Sequence, residues 1–137
     1  MYGSPMTLLA DWRQGKKMVD ITVRSTMAAA ADSIATVMFD PSRDPEWIGG
    51  VQRVEVIALP PYGIGTRVRR HGAFIGRSFA WVTEVTEFEP GRLVRMKYVS
   101  GPFAGGVDYS ILPVGEGSEV VIRNYGNANF WFHSWRQ

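Results

Sequence analysis

The residues able to do chemistry are few. His71 and His133 are the two histidines of the chain, and histidine is the side chain that ordinarily titrates near neutral pH. His71 falls mid-run beside Arg69 and Arg70. Facing a cavity, it could protonate or orient a carbonyl; facing water, it is a solvated strand histidine, which is the reading favoured here. His133 sits near the end of the chain, at a surface or an interface. No nucleophile–base pair is evident. No set of His, Cys, Asp and Glu has the spacing of metal ligands, so neither a metal nor a cofactor is expected. Gly63-Ile64-Gly65 reads as a turn and not a phosphate loop, since no helix start follows it. Glu84, Glu87 and Glu89 resemble an acid cluster. Strict alternation places Glu87 and Glu89 on the face opposite Glu84, which argues against paired carboxylates and for solvated strand charges.

Alternation makes a better case for a cavity than for a catalytic pair. Val94, Met96 and Tyr98 share one face, with Arg95 and Lys97 on the other. Val107, Tyr109 and Ile111 share a face opposite Asp108 and Ser110, and Phe79 and Trp81 share a face. These side chains are expected to point inward, where Phe79, Trp81, Met96, Tyr98, Val107, Tyr109 and Ile111 would line a ligand cavity or simply form core. Tyr98 and Tyr109 are the best candidates for polar contacts, because a buried hydroxyl needs a partner.

The elements that must hold these residues follow from pattern and punctuation. Asp20–Thr26 alternates as a half-buried strand does. Ile34, Val37 and Met38 fall on one face of a helix over Ala30–Phe39, led by strongly helix-forming alanines. Asp40-Pro41 stops that helix. Asp44-Pro45 starts a second short one carrying Trp47, with Asp44 as N-cap, and Gly49-Gly50 ends it. Six strands follow at Val51–Leu59, Thr66–Ala73, Arg77–Phe88, Arg92–Ser100, Gly106–Leu112 and Ser118–Tyr125. The Gly and Pro turns between them predict an antiparallel meander. Residues 1–17 lack alternation. They read as a leader, an extended start or an added remnant ahead of a single domain over 18–137, or as a short amphipathic helix at Thr7–Arg13 docked through Leu8, Leu9 and Trp12.

Composition narrows the classes. A chain of 137 residues suits one domain with a sizeable core. There is no cysteine, hence no disulfide or thiol chemistry, which fits a cytoplasmic protein. No apolar run reaches the roughly 20 residues that span a bilayer. The net charge of +2 is scattered, with Arg67, Arg69 and Arg70 as its one cluster, too little for a nucleic-acid footprint. Five Trp, five Tyr and seven Phe point to a large apolar interior or an apolar ligand surface.

Four places together resemble the START-like superfamily, the helix-grip proteins that include polyketide cyclases and dehydrases, birch-pollen-allergen-like proteins and lipid-transfer domains. They are Ile21…Ala28-Ala29…Ile34…Asp40; Pro45-Glu46-Trp47; Gly63-Ile64-Gly65-Thr66-Arg67; and Tyr109-Ser110-Ile111-Leu112-Pro113 followed by Gly115-Glu116-Gly117-Ser118-Glu119-Val120. The likeness runs from about Met18 to Gly126. It implies an α+β fold: a seven-stranded antiparallel curved sheet with two short helices after the first strand and a C-terminal helix gripped by the sheet. Trp47 would lie near the cavity mouth. Only Asn127–Gln137 is left for the last helix, at most about 16 Å at 1.5 Å per residue, so it is expected to be truncated. The tail Asn129–Trp135 is strongly aromatic, and either it or a second copy is expected to cover the open face. The expected function is binding of a small hydrophobic or aromatic ligand by a homodimer. The alternatives are a cofactor-free cyclase or dehydratase using His71, Tyr98 and Tyr109, and a protein-interaction module using the aromatic tail.

Overall fold

The computed structural model describes residues 6–11, 16–58, 61–74 and 76–127. The elements, in chain order, are β1 (Met6–Asp11), β2 (Lys16–Met27), α1 (Ala31–Met38), a 3₁₀ turn (Pro41–Arg43), α2 (Asp44–Trp47), β3 (Val51–Ala58), β4 (Arg67–Phe74), β5 (Arg77–Glu89), β6 (Leu93–Ser100), β7 (Ala104–Val114) and β8 (Gly117–Asn127). Every strand pairing is antiparallel, in the order β1-β2-β8-β7-β6-β5-β4-β3. The seven strands expected from the sequence, β2 to β8, form the curved sheet of a helix-grip fold with two short helices. Glycines in the left-handed region make the tight turns of the meander, Gly91 (φ +75°) between β5 and β6 and Gly115 (φ +59°) between β7 and β8.

An eighth strand, β1, pairs with the outer edge of β2, from Met6 opposite Ile21 to Asp11 opposite Lys16. The sequence leaves residues 1–17 open between a leader, an extended start or an added remnant and a helix at Thr7–Arg13. The apolar run there is short, and periodicity alone does not separate strand from helix in so short a run. The shortened C-terminal helix, the aromatic tail and His133 lie outside the described residues.

The helices carry the chain from β2 to β3, at the far side of the sheet, across its concave face. Ile34 and Met38 of α1 are buried there against Val85, Val94, Met96, Val107, Tyr109, Ile111 and Val120. Met96 and Ile111 are fully enclosed, at 1% and 0% exposure. Phe39 closes α1 through its backbone N–H to the Ala35 carbonyl. Asp44, expected to cap α2, does not. Arg43 holds the cap position without a side-chain bond, and Asp40 caps the preceding 3₁₀ turn through Ser42. The Asp44 side chain is turned inward instead, and its partner there defines the site.

Candidate functional site

Register fixes which residues meet on the concave face, because directly opposite residues of paired strands share a face. Arg70 lies opposite Trp81, and Gly72 opposite Phe79. Thr83 faces Tyr98. Met96 faces Val107, Val107 faces Asn124, and Tyr109 faces Ile122. These pairs run from the closed core under the helices to an open aromatic end.

At the closed end, Arg70 donates from Nε to Asp44 Oδ2 at 2.5 Å and from a terminal nitrogen to Thr83 Oγ1 at 2.7 Å. The two charged side chains are 5% and 1% exposed. Thr83 passes its own hydrogen to the Met96 sulfur at 3.7 Å. Removing two charges from water costs several kcal/mol per ion, so a pair like this holds only with close, hydrogen-bonded geometry. Asp44 Oδ1 and Trp47 Nε1 are buried and have no hydrogen-bond partner among the described residues. Burial pushes the Asp44 carboxyl above the usual carboxylate range, and the adjacent guanidinium opposes that push.

Three tyrosines lie within the field of this guanidinium. Burial pushes the Tyr62 hydroxyl up to about 12 and raises those of Tyr98 and Tyr109, while Arg70 pulls all three back. Each therefore stays protonated at neutral pH and can donate. Tyr98 donates to Asn124 Oδ1 at 3.3 Å. Trp47 packs edge-on against Tyr109 with ring centres 5.4 Å apart. Tyr62 packs edge-on against Phe88 at 5.6 Å.

At the open end, Phe79, Trp81 and Phe103 pack with centroids 5.4–5.8 Å apart, and Tyr98 joins Phe103 at 5.3 Å. These are the offset and edge-to-face spacings that aromatic rings favour. Two glycines permit the cluster. A Cβ on Gly72 would meet the Gly50 carbonyl oxygen, and the Trp81 ring at 3.0 Å; a Cβ on Gly101 (φ +104°) would come within 2.8 Å of Trp81. Trp81 thus lies across a strand position with no side chain, and the β6–β7 loop folds onto it. Ile21, Val23 and Met27 of β2 extend the same face toward its rim, with Val23 and Met27 exposed.

Trp47, Met96, Val107, Tyr109 and Ile111 meet at the closed end; Phe79, Trp81 and Tyr98 meet at the open end. His71 joins neither. It pairs with Ala80 on the convex face, where Glu55 Oε1 is 2.7 Å from its Nε2. His71 therefore stands away from both clusters, beside Arg53 and Glu55. The acid cluster needs correction. A bulge between Val85 and Glu87 resets the alternation, so Glu84 and Glu87 share the convex face opposite Lys97 and Arg95. They remain solvated charges, each in an ion pair. Sequence reasoning missed Asp44, Arg70, Thr83, Tyr62, Phe103 and Asn124. Alternation with Val68 and Gly72 was the signal for Arg70.

The arrangement offers hydrogen-bond donors at one end of an apolar and aromatic surface. It offers no activated nucleophile, and no group of three or more His, Cys, Asp or Glu that could hold a metal occurs among the described residues. Comparison with known proteins gives the same picture at the level of fold. The family model described as polyketide cyclase / dehydrase and lipid transport matches residues 18–133. The structure is similar to the Zhui aromatase/cyclase from Streptomyces sp. R1128 (TM-score 0.67, 19% identity, 80% of this chain and 67% of that one). It is similar to a protein from Thermus thermophilus (TM-score 0.67, 23% identity, 78% and 73%). It is also similar to a START superfamily protein from Mycobacterium smegmatis (TM-score 0.65, 19% identity, 80% and 75%). No curated protein matches significantly.

Proposed function

The chain belongs to the polyketide cyclase/dehydrase and lipid-transport family, and from that premise we propose that it binds a small hydrophobic or aromatic molecule bearing one polar group on its concave face. The observation that carries this reading is the pairing of a partly open aromatic cluster, Phe79, Trp81, Phe103 and Tyr98, with the buried Arg70 donor network. Apolar walls supply affinity, and a few fixed donors supply orientation. The ring system of a ligand would lie on the cluster, and its carbonyl or hydroxyl would turn toward Tyr98, Asn124 and Arg70. Met96, Val107, Tyr109 and Ile111 would form the floor beneath it, with Trp47 at its helical wall.

Two measurements test this. Native mass spectrometry of the purified protein should reveal a co-purified small molecule. The fluorescent probe 1-anilinonaphthalene-8-sulfonate should bind the wild type and bind Trp81→Ala at least about tenfold more weakly, the loss of one large aromatic contact. Binding unaffected by Trp81→Ala would remove the aromatic cluster from the ligand site.

A second reading is a cofactor-free cyclase or dehydratase. It is favoured by a set of donors, the Arg70 guanidinium with the Tyr98 and Tyr109 hydroxyls, suited to polarising a carbonyl. Turnover of a poly-β-ketone substrate should then fall in Tyr98→Phe and Tyr109→Phe while His71→Ala stays active; turnover untouched by both tyrosine changes would end this reading. A second copy over the concave face and a cytoplasmic setting belong to the same proposal. No helix among the described residues is long and apolar enough to cross a membrane.

A further inference from the structure

β3 is the last strand of the sheet, and no described strand pairs with its outer edge. Such an edge presents unpaired backbone groups and is a template for another chain. Two irregularities bracket a regular stretch, one between Val51 and Arg53 and one between Val56 and Ala58. Within the stretch, Arg53, Val54, Glu55 and Val56 pair in step with His71, Arg70, Arg69 and Val68. Val56 and Ile57 are 50% and 43% exposed, large for apolar side chains. The Arg53 and Glu55 side chains are exposed as well, at 67% and 48%.

The order of residues on this edge is self-complementary. In an antiparallel pairing with a second copy, centred on Val54, Arg53 faces Glu55 of the partner subunit and Glu55 faces Arg53 of the partner subunit. Gln52 then faces Val56 of the partner subunit, and Val54 meets its own copy. Opposite charges directly across a strand pair attract, and like charges repel. Centring the pairing one residue either way sets Arg53 against itself or Glu55 against itself, so the charges select one register. Existing contacts do not use up the pair. Arg53 Nη2 lies 3.1 Å from His71 Nε2 and 3.9 Å from Glu55 Oε1, and His71 Nε2 is 2.7 Å from that same oxygen. Among the described residues these contacts fall on one guanidinium nitrogen and one carboxylate oxygen, which leaves Glu55 Oε2 for an incoming guanidinium.

We propose that the β3 edge, through Arg53 and Glu55, pairs with the same edge of a second copy to join two sheets into one. This surface is distinct from the concave face, and the proposal does not depend on what that face binds. The paired stretch is short, so the interface belongs to the small, weak class.

Sedimentation velocity over a concentration series up to about 1 mM covers the affinities such an interface allows. The wild type should show a monomer–dimer equilibrium that weakens with salt. Arg53→Glu alone and Glu55→Arg alone should each raise the dissociation constant about tenfold or more, because each sets like charges against one another in the two-fold register. The combined charge swap Arg53→Glu with Glu55→Arg should restore the dimer. Thermal melts matching the wild type would show that all three variants are folded, as expected for exposed positions. A monomer at every concentration would overturn the proposal. So would a dimer indifferent to the single reversals, or a double swap that fails to recover.

Discussion

The two faces of the sheet use charge in opposite ways. The convex face carries a field of pairs mostly open to water: Asp20 with Arg123, Glu119 with Arg24, Glu84 with Arg67 and Lys97, and Arg95 with Glu87 and with Asp108, the most enclosed of these carboxylates at 16% exposure. Water screens them, and such pairs contribute little to stability. On the concave face, the described ion pair is Asp44–Arg70, nearly dry, with Thr83 on the third side of the guanidinium. A pair of that kind is a weak source of stability, since well-packed apolar residues can often replace it at no loss. Many cheap charges keep one side soluble and in register, whereas a single costly pair on the other holds a donor at a chosen point of an apolar surface. Under the proposed function, the inner pair would serve to present a donor to the ligand, a role the outer pairs do not share.

That contrast can be broken in several places. Arg70→Ala should have the largest effect, about 3–5 kcal/mol of destabilisation, because it strands the Asp44 carboxylate in the core; thermal or urea melts measure it. Ile111→Ala, which opens a cavity at a fully enclosed position, should cost about 2–5 kcal/mol by the same measurement. The joint change Arg70→Met with Asp44→Leu should return most of the stability lost in the single variant, to within about 1–2 kcal/mol of the wild type. It should not recover binding of polar-headed probes. If it did, the pair would be purely structural.

The smaller effects concern pH and the outer face. Folding raises the Asp44 carboxyl above its ordinary 3.8, chiefly through burial. A group raised by folding favours the folded state at low pH: its contribution is full below the unfolded value and is lost as pH rises through the folded one. Stability of the wild type relative to Asp44→Asn should therefore rise as the pH falls from neutrality toward 3.8. A fall in relative stability on acidification would mean that the guanidinium outweighs burial. Arg123→Ala on the convex face should leave the melting temperature unchanged, although Arg123 bonds Asp20 through two nitrogens and lies over the Tyr125 ring at 4.6 Å. A clear drop there would erase the distinction between the faces.

Much of the fold was legible because β6 and β7 alternate over Val94–Tyr98 and Val107–Ile111 and the turns of the meander carry Gly or Pro. The inward set Met96, Tyr98, Val107, Tyr109 and Ile111 followed from period two alone. Alternation failed where the backbone departs from it, at the bulge between Val85 and Glu87. Such a bulge has no side-chain signature in this stretch, so strict alternation puts Glu84 and Glu87 on opposite faces. Asp44 reads as a helix cap in the sequence because an aspartate before proline is a good one. Its actual partner, Arg70, is 26 residues away in the chain and is set by tertiary packing. Arg70 is illegible in the sequence for the same reason. An arginine between Arg69 and His71 looks like surface charge until a buried carboxylate is found opposite it. Asn124 shows the same limit, as its role comes from the Tyr98 hydroxyl across two strand pairings.

The central claim is that the concave face is the ligand surface and that Arg70 and the aromatic cluster share the work. Chemical-shift mapping of the isotopically labelled protein during titration with 1-anilinonaphthalene-8-sulfonate tests it most directly. The account predicts saturable shifts at the Trp81 indole, the Tyr98 and Tyr109 rings, the Asn124 amide and the Arg70 Nε, with Arg24, Glu87 and Arg123 unmoved. Shifts confined to the convex residues, or none at concentrations where fluorescence reports binding, would contradict it.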